Sequence, residues 1–159
     1  MKTINIQSTI ESYALATELS SSDQWLIAKA YEATKNSYSP YSNFRVGASV
    51  LLADGTVVLG SNQENAAYPS GLCAERVALF ALGAAHGNVV VESLAVVVQS
   101  DVYKVDEPIS PCGACLQVLV EQERRQQSPI RIILVGTNEI YLINGTKNLL
   151  PIQFDLVKR

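Results

Sequence analysis

Hydrophobic and polar positions along the chain follow two rhythms, one near period two and one near period three and a half. Phe44 to Leu52 alternates well enough for a strand, Asp54-Gly55 marks a tight hairpin turn, and Thr56 to Gly60 reads as the returning strand. Leu94 to Val98 and Ile130 to Leu134 are nearly unbroken apolar runs, as expected of strands covered on both faces. Glu139 to Ile143 is shorter and less apolar, which suits a sheet edge.

Helical spacing fills the intervals. Ser21-Ser22-Asp23-Gln24 has the form of a capping box, with Ser21 as cap and Gln24 reaching back. The helix it opens is predicted to run to about Thr34, with Ile27, Ala30, Tyr31 and Thr34 on one face. Leu72 to His86 is apolar nearly all round, which predicts a buried helix, and Gly87-Asn88 ends it. Ser110 can cap a third helix with Pro111 in its first turn, running to about Arg125. The expected architecture is a three-layer α/β/α sandwich around a mixed sheet of about five strands. Residues 1–20, polar with scattered Ile and Leu, read as an extension appended to one domain over 21–159.

Charge narrows the class of partner. Twelve Lys and Arg stand against 15 Asp and Glu, a formal net charge of −3, which argues against a nucleic-acid polymer. No apolar run reaches the roughly 18 residues of a membrane span, and the first residues lack the apolar core of a signal peptide. Three cysteines cannot all pair within a chain, so no disulfide framework is expected and the cytoplasm is the expected compartment.

Those three cysteines carry the chemistry. Cys73 opens Cys73-Ala74-Glu75-Arg76, and Cys112 and Cys115 stand in Pro111-Cys112-Gly113-Ala114-Cys115. Three soft ligands suit one zinc ion with a coordination position left open, the arrangement of catalytic sites. Glu75, two residues past the first ligand, is a carboxylate placed to move protons. The general zinc-deaminase signature has this form, a His or Cys followed by x-Glu and then Pro-Cys-x-x-Cys. Cys73 sits at one predicted helix N-terminus and the pair Cys112 and Cys115 at another, where unpaired N–H groups and the helix dipole favour thiolates. Three thiolates make the centre anionic, and Arg76 is the residue expected to offset that charge by hydrogen bonding to ligand sulfurs.

Each of these residues also has a plainer reading. Isolated cysteines are commonly core fillers, and a Glu-Arg pair is ordinarily a solvated one. Three cysteines falling wholly into one ligand pattern, with that pair attached to the first, reverse both expectations. The stretch Glu121-Gln122-Glu123-Arg124-Arg125 reads as a solvated helix face. A closed site with His86, the one histidine, as fourth ligand fails on distance: thirteen residues of helix span about 20 Å.

Four motifs in order then resemble the cytidine deaminases of the short, three-cysteine, homotetrameric type. They are Tyr38-Ser39-Pro40-Tyr41-Ser42-Asn43-Phe44-Arg45-Val46-Gly47-Ala48, Asn62-Gln63-Glu64-Asn65-Ala66-Ala67-Tyr68, the two zinc motifs, and Leu149-Leu150-Pro151 followed by Phe154. The resemblance spans roughly residues 22–155. It implies hydrolysis of cytidine and deoxycytidine to uridine and deoxyuridine with release of ammonia, a step of pyrimidine salvage. Cys73, Cys112 and Cys115 would hold one Zn²⁺ per chain, and Glu75 would relay protons to the ring nitrogen and the leaving ammonia. The Ala74 N–H would hold the pyrimidine carbonyl oxygen, Asn62 and Glu64 the ribose 3′-hydroxyl, and Phe44 would flank the base. Tyr68 and Phe154 would come from neighbouring subunits of a tetramer with shared active sites. Leu116 stands where such proteins often carry arginine, Pro69-Ser70-Gly71-Leu72 replaces a stretch that often holds other small or sulfur-bearing residues, and residues 1–20 have no counterpart. The alternatives are a deaminase of another amine-bearing heterocycle, such as an aminonucleoside antibiotic, and a non-catalytic zinc module. Asn62 with Glu64 argues against the first and an open coordination position beside Glu75 against the second.

Overall fold

The computed structural model describes residues 1–154, so the last five residues of the expected domain, 155–159, lie outside the described residues. Among the described residues the strands are β1 (Glu11–Tyr13), β2 (Phe44–Leu52), β3 (Val57–Ser61), β4 (Val91–Ser100), β5 (Arg131–Val135) and β6 (Ile140–Asn144). The helices are α1 (Ser21–Thr34), α2 (Ala74–His86) and α3 (Gly113–Gln126). The strands form one sheet in the order β1-β6-β5-β4-β2-β3. Only β4 and β5 pair in parallel, joined through α3, and the other neighbours are antiparallel.

Alternation within the central strands divides the core in two. Leu94 and Val96 of β4 and Ile132 and Leu134 of β5 pack with Ala78 and Leu82 of α2 and Leu119 of α3. Their neighbours Ala95, Val97, Ile133 and Val135 pack on the other face with Leu26, Ile27 and Ala30 of α1. These are the three expected layers, with both sheet faces covered as the unbroken apolar runs require.

Two glycines set how closely the helices lie on the sheet. A Cβ on Gly47 of β2 would come within 2.0 Å of the Ala30 carbonyl oxygen in α1. One on Gly60 of β3 would meet the Ala74 carbonyl oxygen at 2.3 Å and the Ala78 nitrogen at 2.5 Å. The second contact fixes the depth of the first turn of α2, the turn that carries Glu75.

The hairpin at Asp54-Gly55 forms as expected: Gly55 has φ +85°, and its N–H donates to the Leu52 carbonyl. Several expectations shift. The sheet has six strands rather than about five, because Glu11–Tyr13 from the extension pairs antiparallel with β6. β6 is therefore flanked on both sides and is not an edge. Ser20 rather than Ser21 caps α1, accepting from the Asp23 N–H at 3.1 Å, and the Gln24 side chain donates instead to the Leu19 carbonyl. Asp23 is buried and ion-paired with Arg131 at 2.9 Å, which fixes the helix start against β5. The buried face of α1 includes Leu26 and Ala33, while Tyr31 is exposed. Cys112 rather than Ser110 precedes the first residue of α3. Nor is α2 buried all round: Phe80 is 50% exposed, and Ala81 and Ala84 face outward with it.

Candidate active site

Cys73 is the N-cap of α2 and Cys112 the N-cap of α3. Neither cap position has a side-chain hydrogen bond to the helix, so both thiols are available at helix N-termini. Cys115 lies one turn into α3 and is buried. The Cys73 and Cys112 sulfurs are 3.7 Å apart, Cys112 and Cys115 3.5 Å, and all three lie within 4.8 Å of one another. A tetrahedral metal with bonds of ~2.3 Å to sulfur sets its ligand atoms ~3.8 Å apart. The separations through Cys112 are close to that spacing, so the cluster suits a zinc ion. His86 ends α2 at the far side of the helix and takes no part in the cluster.

Electrostatics favour ionisation at Cys73. A hydrogen bond from Cys115 is the main cause, with Arg76 and Cys112 adding to it against the cost of burial, and together they pull this thiol down to about 5. The same contact with Cys73, together with burial, pushes Cys115 up. Arg76 Nη2 lies 3.9 Å from the Cys73 sulfur, and its Nε is buried without a hydrogen-bond acceptor. The guanidinium thus sits against the sulfur cluster. Glu75 is only 4% exposed. Burial is the chief cause of its raised pKa, and the neighbouring Cys73 adds to it.

These groups open into a cleft of about 810 Å³. Phe44, Asn62, Glu64 and Tyr68 line it together with Cys73, Cys112 and Glu75, and Val96 and Val98 line it from the second half of β4. A cleft at the carboxyl end of a parallel strand pair is the usual place for a ligand in a sheet of this kind. Ala74 is fully buried at the first position of α2, where a backbone N–H has no intrahelical acceptor.

Asn62 and Glu64 also hold the rim. The Asn62 Oδ1 accepts from the Val46 N–H at 2.8 Å and the Ser37 hydroxyl at 2.6 Å, and its Nδ2 donates to the Phe44 carbonyl at 2.8 Å. Glu64 accepts from the backbone N–H groups of Tyr41 and Ser42 at 2.9 and 3.3 Å and from the Ser42 hydroxyl. Burial opposes ionisation of Glu64, but these donors outweigh it and lower its pKa. An amide nitrogen with two hydrogens and a carboxylate with about four acceptor positions each keep capacity for a ligand.

Phe154 stands apart. It is 65% exposed, its carbonyl accepts from Gln117 Nε2 at 3.3 Å, and it does not line its own chain's cleft. Tyr68 does line that cleft, 79% exposed and edge-on to Tyr41 with ring centroids 6.4 Å apart. Ser37 and the donors Tyr41 and Ser42 were not predicted as site residues, although all but Ser37 lie inside the first of the quoted motifs. Tyr103, also in the cleft wall, carries no local signal at all.

Comparison with known proteins agrees with this geometry. The family model described as the cytidine and deoxycytidylate deaminase zinc-binding region matches residues 20–128. A cytidine deaminase of Halalkalibacterium halodurans is 45% identical over 98 residues, which is 62% of this chain and 70% of that protein. Among solved structures, the cytidine deaminase from Burkholderia pseudomallei superposes with a TM-score of 0.71 at 37% identity, over 82% of this chain and 97% of that one. The cytidine deaminase from Mycobacterium tuberculosis gives 0.64 at 33% identity, over 83% and 96%. With its three sulfurs converged at two helix N-termini and a buried glutamate beside them, the chain belongs to the cytidine and deoxycytidylate deaminase zinc-binding family.

Proposed function

We infer that the protein is a zinc-dependent hydrolase that converts cytidine and deoxycytidine, with water, to uridine and deoxyuridine and ammonia. The observation that carries this reading is the convergence of three thiol sulfurs and a buried carboxylate on one cleft that also holds Asn62 and Glu64. A zinc ion bound there would supply acidified water as the nucleophile at neutral pH. Cys73, Cys112 and Cys115 would hold the ion, and Arg76 would offset the charge of their thiolates.

Glu75 is the acid–base group. Buried beside the sulfur cluster, its carboxylate takes a proton from the attacking water and passes it to the ring nitrogen, then takes the second proton from the hydroxyl now on the ring carbon and delivers it to the amine, which leaves as ammonia. The Ala74 N–H, unpaired at the helix start and backed by the dipole, binds the pyrimidine carbonyl oxygen. Phe44 packs on the base. Asn62 and Glu64 bind the ribose 3′-hydroxyl, and the Glu64 carboxylate repels any 3′-phosphate, which restricts the enzyme to free nucleosides. The reaction places the enzyme in pyrimidine salvage. Unpaired ligand thiols suit a reducing compartment, so we assign it to the cytoplasm. No helix among the described residues is long and apolar enough to cross a membrane. We treat 21–159 as the deaminase domain and 1–20 as an extension of it.

An ultraviolet assay with cytidine, deoxycytidine, cytosine and the nucleoside 3′-phosphates tests the substrate class. Both nucleosides are expected to react and the others to be poor. Without a ribose, Asn62 and Glu64 keep their hydrogen bonds to the rim but make none to the ligand, so cytosine forgoes binding energy that both nucleosides gain. Glu64→Ala is expected to weaken nucleoside use and narrow the gap to cytosine. Efficient deamination of single-stranded DNA or RNA would refute this reading.

The chain works as a homotetramer in this proposal, with active sites completed by neighbours. The exposed apolar face of α2 around Phe80 and the exposed, cleft-remote Phe154 support it, as does the resemblance to short deaminases. Light scattering should give a mass near four times 17.2 kDa. Phe154→Ala should lower activity without loss of zinc, and mixing it with inactive Glu75→Gln should recover part of the activity. The recovered sites pair a chain intact at Glu75 with a neighbour intact at Phe154. A fully active monomer at assay concentration refutes the shared site.

A further inference from the structure

The stretch between β4 and α3, residues 101–112, delivers Cys112 to the sulfur cluster, but it also brings Tyr103 to the cleft wall. Its path is held on both sides of that residue. Directly after β4 the Val102 and Tyr103 N–H groups donate to the Ser100 hydroxyl at 3.2 and 3.0 Å, turning the chain sharply. Asp101 pairs with Arg45 at 2.9 Å, and Arg45 is the residue next to Phe44 in β2. Beyond Tyr103, the Thr137 N–H and hydroxyl both donate to the Val105 carbonyl, at 3.0 and 2.9 Å, and the Asn138 N–H donates to the Asp106 carbonyl at 3.0 Å. Gly136 lets the strand end lie against this backbone, since a Cβ there would fall 2.6 Å from the Pro108 nitrogen.

Held in this way, the Tyr103 ring meets Phe44 edge to face, with centroids 6.4 Å apart and planes inclined by 67°. That arrangement is the favoured one for two aromatic rings. Both rings line the cleft that contains Cys73, Glu75 and Cys112. We propose that Tyr103 is a positioning residue for the nucleoside base: its ring braces Phe44 so that the face presented to a planar heterocycle is set before the substrate arrives. This rests on the function inferred above. The brace acts on the ground state and the transition state alike, because Tyr103 touches neither the sulfur cluster nor the carboxylate. Its loss is therefore expected in binding and not in the chemical step.

The test compares the parent with Tyr103→Ala and Tyr103→Phe in three measurements: zinc content, steady-state kinetics on cytidine, and calorimetric binding of uridine. Tyr103→Ala should raise KM and the uridine Kd together by roughly five- to tenfold, with kcat within twofold of the parent and one zinc per chain. Tyr103→Phe keeps the ring and should restore both constants. Parental KM and Kd in Tyr103→Ala overturn the proposal. So does loss of zinc or of kcat in that variant, which would make the residue a support of the metal loop, and so does failure of Tyr103→Phe to restore binding. A parent chain inactive on cytidine would refute the inferred function, while the ratio of uridine Kd values still decides the role of Tyr103.

Discussion

Glu75→Gln is expected to lower kcat on cytidine by about 10²–10⁴-fold while leaving zinc content, fold and assembly as they are. The amide has the same shape as the carboxylate and fills the same buried space at the head of α2, so packing against the core is kept. It can neither accept the proton from water nor return one to ammonia. Burial adds to the effect, because so little solvent reaches position 75 that water is a poor substitute for the lost base. Burial also raises the pKa of this carboxyl, which brings it nearer the pH at which one group can both take and give a proton. The check is stopped-flow or steady-state deamination beside metal analysis of the same preparation. Turnover within tenfold of the parent would refute the acid–base assignment. Loss of zinc along with activity would show that Glu75 supports the metal site instead.

Removal of the metal is expected to abolish turnover and to lower thermal stability, with one equivalent of zinc restoring both. The three sulfurs lie 3.5–3.7 Å apart along the contacts through Cys112. Without a cation, ionised thiolates at that spacing repel one another, and the thiols must share their remaining protons. This is why Cys73 is pulled down and Cys115 pushed up by the same contact. An ion that binds only the folded cluster stabilises it by about 4 kcal/mol at a thousandfold excess over Kd. A thermal scan before and after chelation, followed by zinc titration, reads both effects. Unchanged turnover in metal-free protein would refute the zinc requirement.

Features that a single local requirement fixes are legible in the sequence. The Asp54-Gly55 hairpin depends on one residue tolerating positive φ, and Gly55 supplies it. The central strands announce themselves by apolar runs because they are covered on both faces. The ligand triad was legible because residue type and the i, i+3 spacing of Cys112 and Cys115 at a helix start are chemical requirements that few other arrangements meet.

Where several local solutions are equivalent, tertiary contacts choose among them. Ser20, Ser21 and Ser22 can each cap a helix. Ser20 is chosen because Asp23, placed by that start, reaches Arg131 on β5, 108 residues away. Glu11–Tyr13 has no alternation to mark it as a strand and becomes one only because β6 offers an unpaired edge. The apolar surface of α2 does not say which side faces the sheet; the close approach at Gly60 decides that and leaves Phe80 outside.

The sequence by itself determined the chemistry of the cluster: three soft ligands and one carboxylate beside the first, recognisable because metal binding and proton transfer demand those residue types, while Asn62 and Glu64 stand out only through the resemblance of their motif to the short deaminases. Only the tertiary structure decided their convergence. Cys73 and Cys112 are 39 residues apart in the chain, and their 3.7 Å separation is set by two helices meeting over one sheet. The same packing recruited Ser42 to Glu64, Ser37 to Asn62 and Tyr103 to Phe44. Such contacts join residues distant in the chain, and hydroxyls and aromatic rings in loops are too common for local pattern to mark which will make them.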